Sequence, residues 1–76
     1  MDFDTDELNS CLRGELAAIE TYRQALDKHR SEYRSDPKFQ QLEKMLRDHE
    51  QAATLLQSLV QQKGGTPDTD SGAWGT

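Results

Sequence analysis

Glu15, Tyr22 and His49 are side chains able to donate, accept or coordinate, and Glu15 and His49 each interrupt an otherwise apolar stripe. His49 lies in LEKMLRDHEQAATLLQSLV, residues 42–60, where Leu42, Met45, Leu46, Ala52, Ala53, Leu56, Leu59 and Val60 follow an i, i+3, i+4, i+7 pattern. That spacing predicts an amphipathic helix with His49 on its apolar stripe. The upstream stripe of Leu8, Cys11, Leu12, Ile19, Tyr22, Leu26 and Tyr33 is broken by Glu15 in the same way. Burying an unpaired carboxylate costs several kcal/mol, on the order of a full desolvation penalty, so Glu15 needs a donor. Tyr22 and His49 are the polar donors on the two stripes away from the turn, and the three residues are the expected polar centre.

A second chemistry is open to the same residues. Imidazole and carboxylate both suit Zn and Fe, which makes Glu15 and His49 candidate metal ligands. One chain supplies one of each, and a symmetric dimer supplies two of each. Counting from a turn centred near Ser35 puts residue 21 level with His49. Tyr22 is then its neighbour and Glu15 lies nearly two turns away, so a Glu15–His49 contact is expected between chains. The simpler expectation is a metal-free pair in which His or Tyr satisfies Glu15 across the bundle.

The remaining reactive types point to no catalytic site. Cys11 has no second Cys or nearby His to activate it and reads as a small buried apolar side chain. His29 falls near the turn and reads as a surface residue. Glu15 and Glu20, five apart, do not share a helix face, and neither a phosphate-binding glycine loop nor a nucleophile elbow is present.

The elements that must position these residues have clear punctuation. Asp4 with Glu7 three positions into the helix makes a capping box, and Phe3 with Leu8 fits a hydrophobic staple, so the first helix starts at Thr5. It runs to about residue 33, and Gly14 within it costs roughly 1 kcal/mol against alanine, which suggests close approach of another helix. Asp36 and Pro37 start a second helix that ends near Lys63, where Gly64 and Gly65 supply a left-handed cap. The short break predicts an antiparallel hairpin, self-associating through Leu12, Ile19, Leu26, Leu46, Ala53 and Leu56, with Gly14 also at the helix–helix interface. Residues 64–76, GGTPDTDSGAWGT, have no periodicity and read as a loop or linker in which Trp74 is the one candidate anchor.

Composition limits what such a hairpin does. Only 33% of 76 residues are hydrophobic, too few for a core with a comfortable margin. The expected remedy is homo-oligomerisation into a four-helix bundle. The net charge of -5, concentrated at the two ends, argues against a nucleic-acid or anionic-membrane partner. A single cysteine and the lack of a charged leader before an apolar run point to a reduced, cytoplasmic setting. No apolar run approaches a membrane span.

LNSCLRGELAAIETYRQAL, LEKMLRDHEQAATLLQSLV and GGTPDTDSGAWG, nearly the whole chain, resemble the front half of a bacterial ferritin-like four-helix-bundle family of unassigned function. The resemblance implies a bundle, with two further helices after the Gly/Pro/Trp linker in that family. Ferritin-like di-iron proteins pair a glutamate with a tyrosine seven residues on, as Glu15 and Tyr22 are spaced here. Their Glu-x-x-His motif is matched at His49 but not three residues earlier, where Leu46 stands. The resemblance carries no established reaction and no complete di-iron ligand set, and it leaves ferritin-like metal (Fe or Zn) binding, with iron oxidation or storage, as the alternative function. A non-catalytic assembly or interaction module is the favoured expectation.

Overall fold

The computed structural model describes residues 2–70, which form two helices and a short return segment. Helix α1 spans Thr5–Tyr33 and helix α2 spans Pro37–Gln62. The capping box at the start of α1 is complete: Glu7 N–H donates to Asp4 Oδ1 at 2.8 Å, and Asp4 N–H donates to Glu7 Oε1 at 3.1 Å. Phe3, the expected staple partner, is exposed. At α2 the Asp36 carboxylate accepts from Lys38 N–H at 2.7 Å, with Pro37 at the first position, where no amide hydrogen is needed.

Helix α2 stops at Gln62, with Lys63 as its cap. Gly64 takes φ 81°, Gly64 N–H bonds to Gln61 O and Gly65 N–H to Val60 O, both at 3.0 Å. This reversal satisfies two of the last carbonyls of the helix, and the positive φ is the reason for glycine at 64.

The helices pack antiparallel along one seam. Leu12, Ile19 and Leu26 on α1, and Phe39, Ala53 and Val60 on α2, are buried at multiples of seven residues. Leu46 completes the α2 series as a partly buried residue. A seven-residue repeat keeps one row facing the partner, as in a coiled-coil seam. Leu16 and Leu56 flank it and pack on the cluster of Leu12, Ile19 and Ala53. Phe39 lies outside the 42–60 stripe, yet its spacing to Leu46 is the same seven residues.

Several sequence expectations do not survive. Cys11 is exposed, because it sits to one side of the Leu12 row instead of on it. Gly14 is exposed too, and a Cβ there meets nothing within 4 Å, so it is not a close-approach point of the hairpin seam. Leu42, Met45 and Tyr33 remain exposed for the same angular reason. The close-approach glycine is instead Gly65, where a Cβ would stand 2.8 Å from Thr5 Cγ2. Trp74 lies outside the described residues.

Candidate functional site

At 100° per residue, the seam divides each helix into two flanks, and the flanks differ in chemistry. On one flank, Arg23 Nη2 meets Glu50 Oε2 at 2.6 Å, Arg30 Nη2 lies 3.7 Å from Glu43 Oε2, and Leu16 is covered by α2. Ion pairs of this kind lie at a water-exposed surface, where each contributes about 0–1 kcal/mol. The other flank carries Cys11, Glu15, Ala18, Tyr22, Ala25 and His29 from α1. From α2 it receives Leu42, Met45, His49, Ala52, Leu56 and Leu59. Between the levels of Leu42 and Leu59 this flank has no Lys or Arg.

Glu15 and His49 meet in the middle of that face. His49 Nδ1 lies 2.5 Å from Glu15 Oε2, with side chains about one third accessible in the hairpin. The contact forms within one chain, contrary to the expectation of an interchain pair. Six residues of helix amount to about 9 Å of rise, and two long side chains leaning toward each other close that gap. An ionised carboxylate only accepts hydrogen bonds, so the bonding proton sits on Nδ1, and Nε2 is the remaining polar atom of the ring.

Tyr22 packs on the other side of the imidazole. The two ring centroids are 5.3 Å apart at an interplanar angle of 34°, within the range of offset aromatic contacts. The Tyr22 hydroxyl lies 4.0 Å from Met45 Sδ, a weak contact at best. His49 is thus the residue that bonds Glu15, and Tyr22 fixes the ring from behind. Leu46 lies three positions before His49 and packs into the hydrophobic cluster, so no second carboxylate arrives from α2. Among the described residues, no three or more His, Cys, Asp or Glu side chains are grouped as a metal site would need.

Toward the turn the same face opens into a groove of about 290 Å³ lined by Ala25, Leu26, His29, Tyr33, Phe39 and Leu42, with Asp36 and Lys38 at its rim. His29 stacks beside Tyr33 at 5.9 Å, so it belongs to this groove and not to the Glu15–His49 centre. At the opposite end the return segment crosses α1. Asn9 Nδ2 donates to Thr66 O at 3.1 Å, Asp68 N–H donates to Asn9 Oδ1 at 2.9 Å, and Arg13 Nη1 holds Asp68 Oδ2 at 2.5 Å. One side-chain amide thereby pairs with two backbone groups of the return segment. Sequence pattern gave no sign of this clamp, because it joins residues 57 and 59 apart with no periodic signal.

No helix among the described residues is long and apolar enough to cross a membrane. Comparison with known proteins found no matching family model, no matching curated protein and no matching solved structure.

Proposed function

We propose that this chain is an assembly module: two copies pack by the face that carries Glu15 and His49 and complete a four-helix bundle. The observation that supports it is the thickness of the hairpin, which measures 44 × 25 × 13 Å. One helix with its side chains is about 10–12 Å across, so 13 Å is a single layer, whereas stable domains pack two layers around a core. Between the levels of Leu42 and Leu59, the face without arginine or lysine is the apolar side of that layer. Leu42, Met45 and the Tyr33 ring remain exposed along it. A face running the 44 Å length of the hairpin has room for an interface of standard size, roughly 800 Å² per partner. Glu15, the acidic group in the middle of the face, already holds His49, so pairing two such faces brings no unpartnered carboxylate into the centre of the core.

Melting followed by far-ultraviolet circular dichroism at increasing chain concentration tests this. When folding is linked to association, the melting temperature rises with concentration. A melting temperature constant from about 1 to 100 µM would defeat the proposal.

A second reading follows from the Glu15–His49 bond. Two pairs brought together would supply two imidazoles and two carboxylates, the number of ligands in a closed tetrahedral zinc site. This is the bundle-centred Fe or Zn binding that the ferritin-like resemblance leaves as the alternative. The residues of one chain do not fit such an ion alone, since Glu15 Oε2 is engaged with Nδ1 and only Nε2 and Oε1 remain. A carboxylate bonded to the imidazole otherwise acts to orient a ligating histidine, which leaves one strong ligand per chain. The metal-free assembly is therefore preferred. Metal analysis of chain purified without chelator decides between them: a stoichiometric ion lost together in Glu15→Ala and His49→Ala favours the second reading.

A further inference from the structure

We infer that the two hairpins associate with their turns at the same end, so that α1 of each packs against α2 of the other. This rests on the self-assembly proposed above and fixes its geometry. Two aligned stackings are possible for a pair of flat hairpins related by a two-fold axis. With the axis along the helices the turns lie together and α1 meets the partner's α2. With the axis across the helices the turns lie apart, and α1 meets the partner's α1.

Heights across the hairpin decide which side chains meet. Tyr22 against His49, Arg30 against Phe39 and Thr5 against Gly65 show that residues at one level have numbers adding to about 70. The outer margin of the open face on α1 carries small residues along its middle, Cys11, Gly14, Ala18, Thr21 and Ala25, with Lys28 following toward the turn. The corresponding margin of α2 carries Met45, Leu55 and Leu59, and Leu55 is the most exposed large apolar side chain of the described residues, at 60%. In the same-end arrangement Leu55 comes level with Gly14 of the other chain, Leu59 with Cys11 and Met45 with Ala25. Each bulky side chain thus meets a small one, and at Gly14, where a Cβ meets nothing within 4 Å, the leucine gains space that any other residue would fill. In the opposite-end arrangement small residues face small ones and leave voids, which interiors packed to crystal density do not tolerate.

Charge agrees. Glu7 and Glu32 stand at the two ends of the α1 margin, and Lys38 and Lys63 at the two ends of the open face on α2. Turns together, Glu32 comes level with Lys38 of the other chain and Glu7 with Lys63. Turns apart, Glu7 comes level with Glu32 and Lys38 with Lys63, two like-charge juxtapositions at each end. Between these ends, Lys44 and Asp48 near the α2 margin lie 3.5 Å apart and offset each other.

The experiment is a spin-label distance between two copies of Ser35→Cys in a Cys11→Ser background, measured by pulsed electron resonance. Turns together place the labels within about the 25 Å width of the hairpin, and turns apart separate them by about its 44 Å length. A size exchange gives an independent readout. Gly14→Leu weakens association at least tenfold, with helicity kept in the samples that still associate, and adding Leu55→Ala restores it. A dimer with the long distance, or a Gly14→Leu chain that associates as tightly as wild type, would overturn the arrangement and leave the assembly standing. A chain monomeric at every concentration would overturn both.

Discussion

Met45→Glu isolates the open face from the hairpin that carries it. Met45 is 38% exposed and lies beside the Tyr22 hydroxyl on the flank away from the arginines. In a lone hairpin a glutamate there reaches water from a helix position it suits well, and surface changes of this kind fall within about 0.5 kcal/mol. In the assembled bundle the same carboxylate is caught between layers, with no arginine or lysine at its level on this face. Leaving such a group unsatisfied costs roughly 1–3 kcal/mol, and two-fold symmetry applies the cost twice. The dissociation constant should therefore rise by about 30-fold to 20,000-fold. Sedimentation velocity over a dilution series reads the association, and circular dichroism on the same samples reads the helices. A Met45→Glu chain that associates as wild type would refute the placement of this face in the interface. Loss of helix in samples that remain associated would show instead that Met45 supports the hairpin itself.

Leu12→Ala tests the seam: Leu12 is fully buried, and cavity formation at such a site costs about 2–5 kcal/mol, to be read as a fall in denaturant midpoint at unchanged slope. At the polar centre, Glu15→Gln should change stability by less than about 1 kcal/mol, because an amide still accepts from His49. His49→Ala strands Glu15 and should cost roughly 1–3 kcal/mol in the associated state, read as the difference between concentrated and dilute melts. Asn9→Ala with Arg13→Ala should free the return segment, raising proteolytic cleavage around residues 64–70 by tenfold or more with no change in helicity. Equal cleavage of wild type and variant would show that the Asn9 clamp does not hold the return segment.

How much was legible in the residues differs from place to place. The helix bounds were readable because capping is local: Asp4, Glu7, the Asp36–Pro37 pair and Gly64 each act within a few positions of the end they define. The seam was partly readable, since Leu12, Ile19, Leu26, Leu46 and Ala53 recur in register, but Phe39 was missed by starting the stripe at Leu42. Cys11 was placed wrongly, and Gly14 makes no contact in the hairpin seam, for one reason. A stripe drawn from apolar residues alone is wider than the strip one partner helix covers, so its margin stays open in a hairpin. The Glu15–His49 bond was recognisable as two ionisable groups on apolar stripes, but not as an intrachain contact, because counting turns measures backbone height and ignores side-chain reach. The Asn9 and Arg13 clamp on residues 66–68 depends on where a loop doubles back, which no periodicity encodes.

The account turns on whether one layer of helices is the whole folded unit. Sedimentation equilibrium of the full chain across micromolar concentrations measures this directly. The account predicts a mass approaching twice the 8.6 kDa of the chain, falling toward the monomer on dilution with loss of helical signal. A single species at 8.6 kDa, fully helical throughout that range, would contradict it.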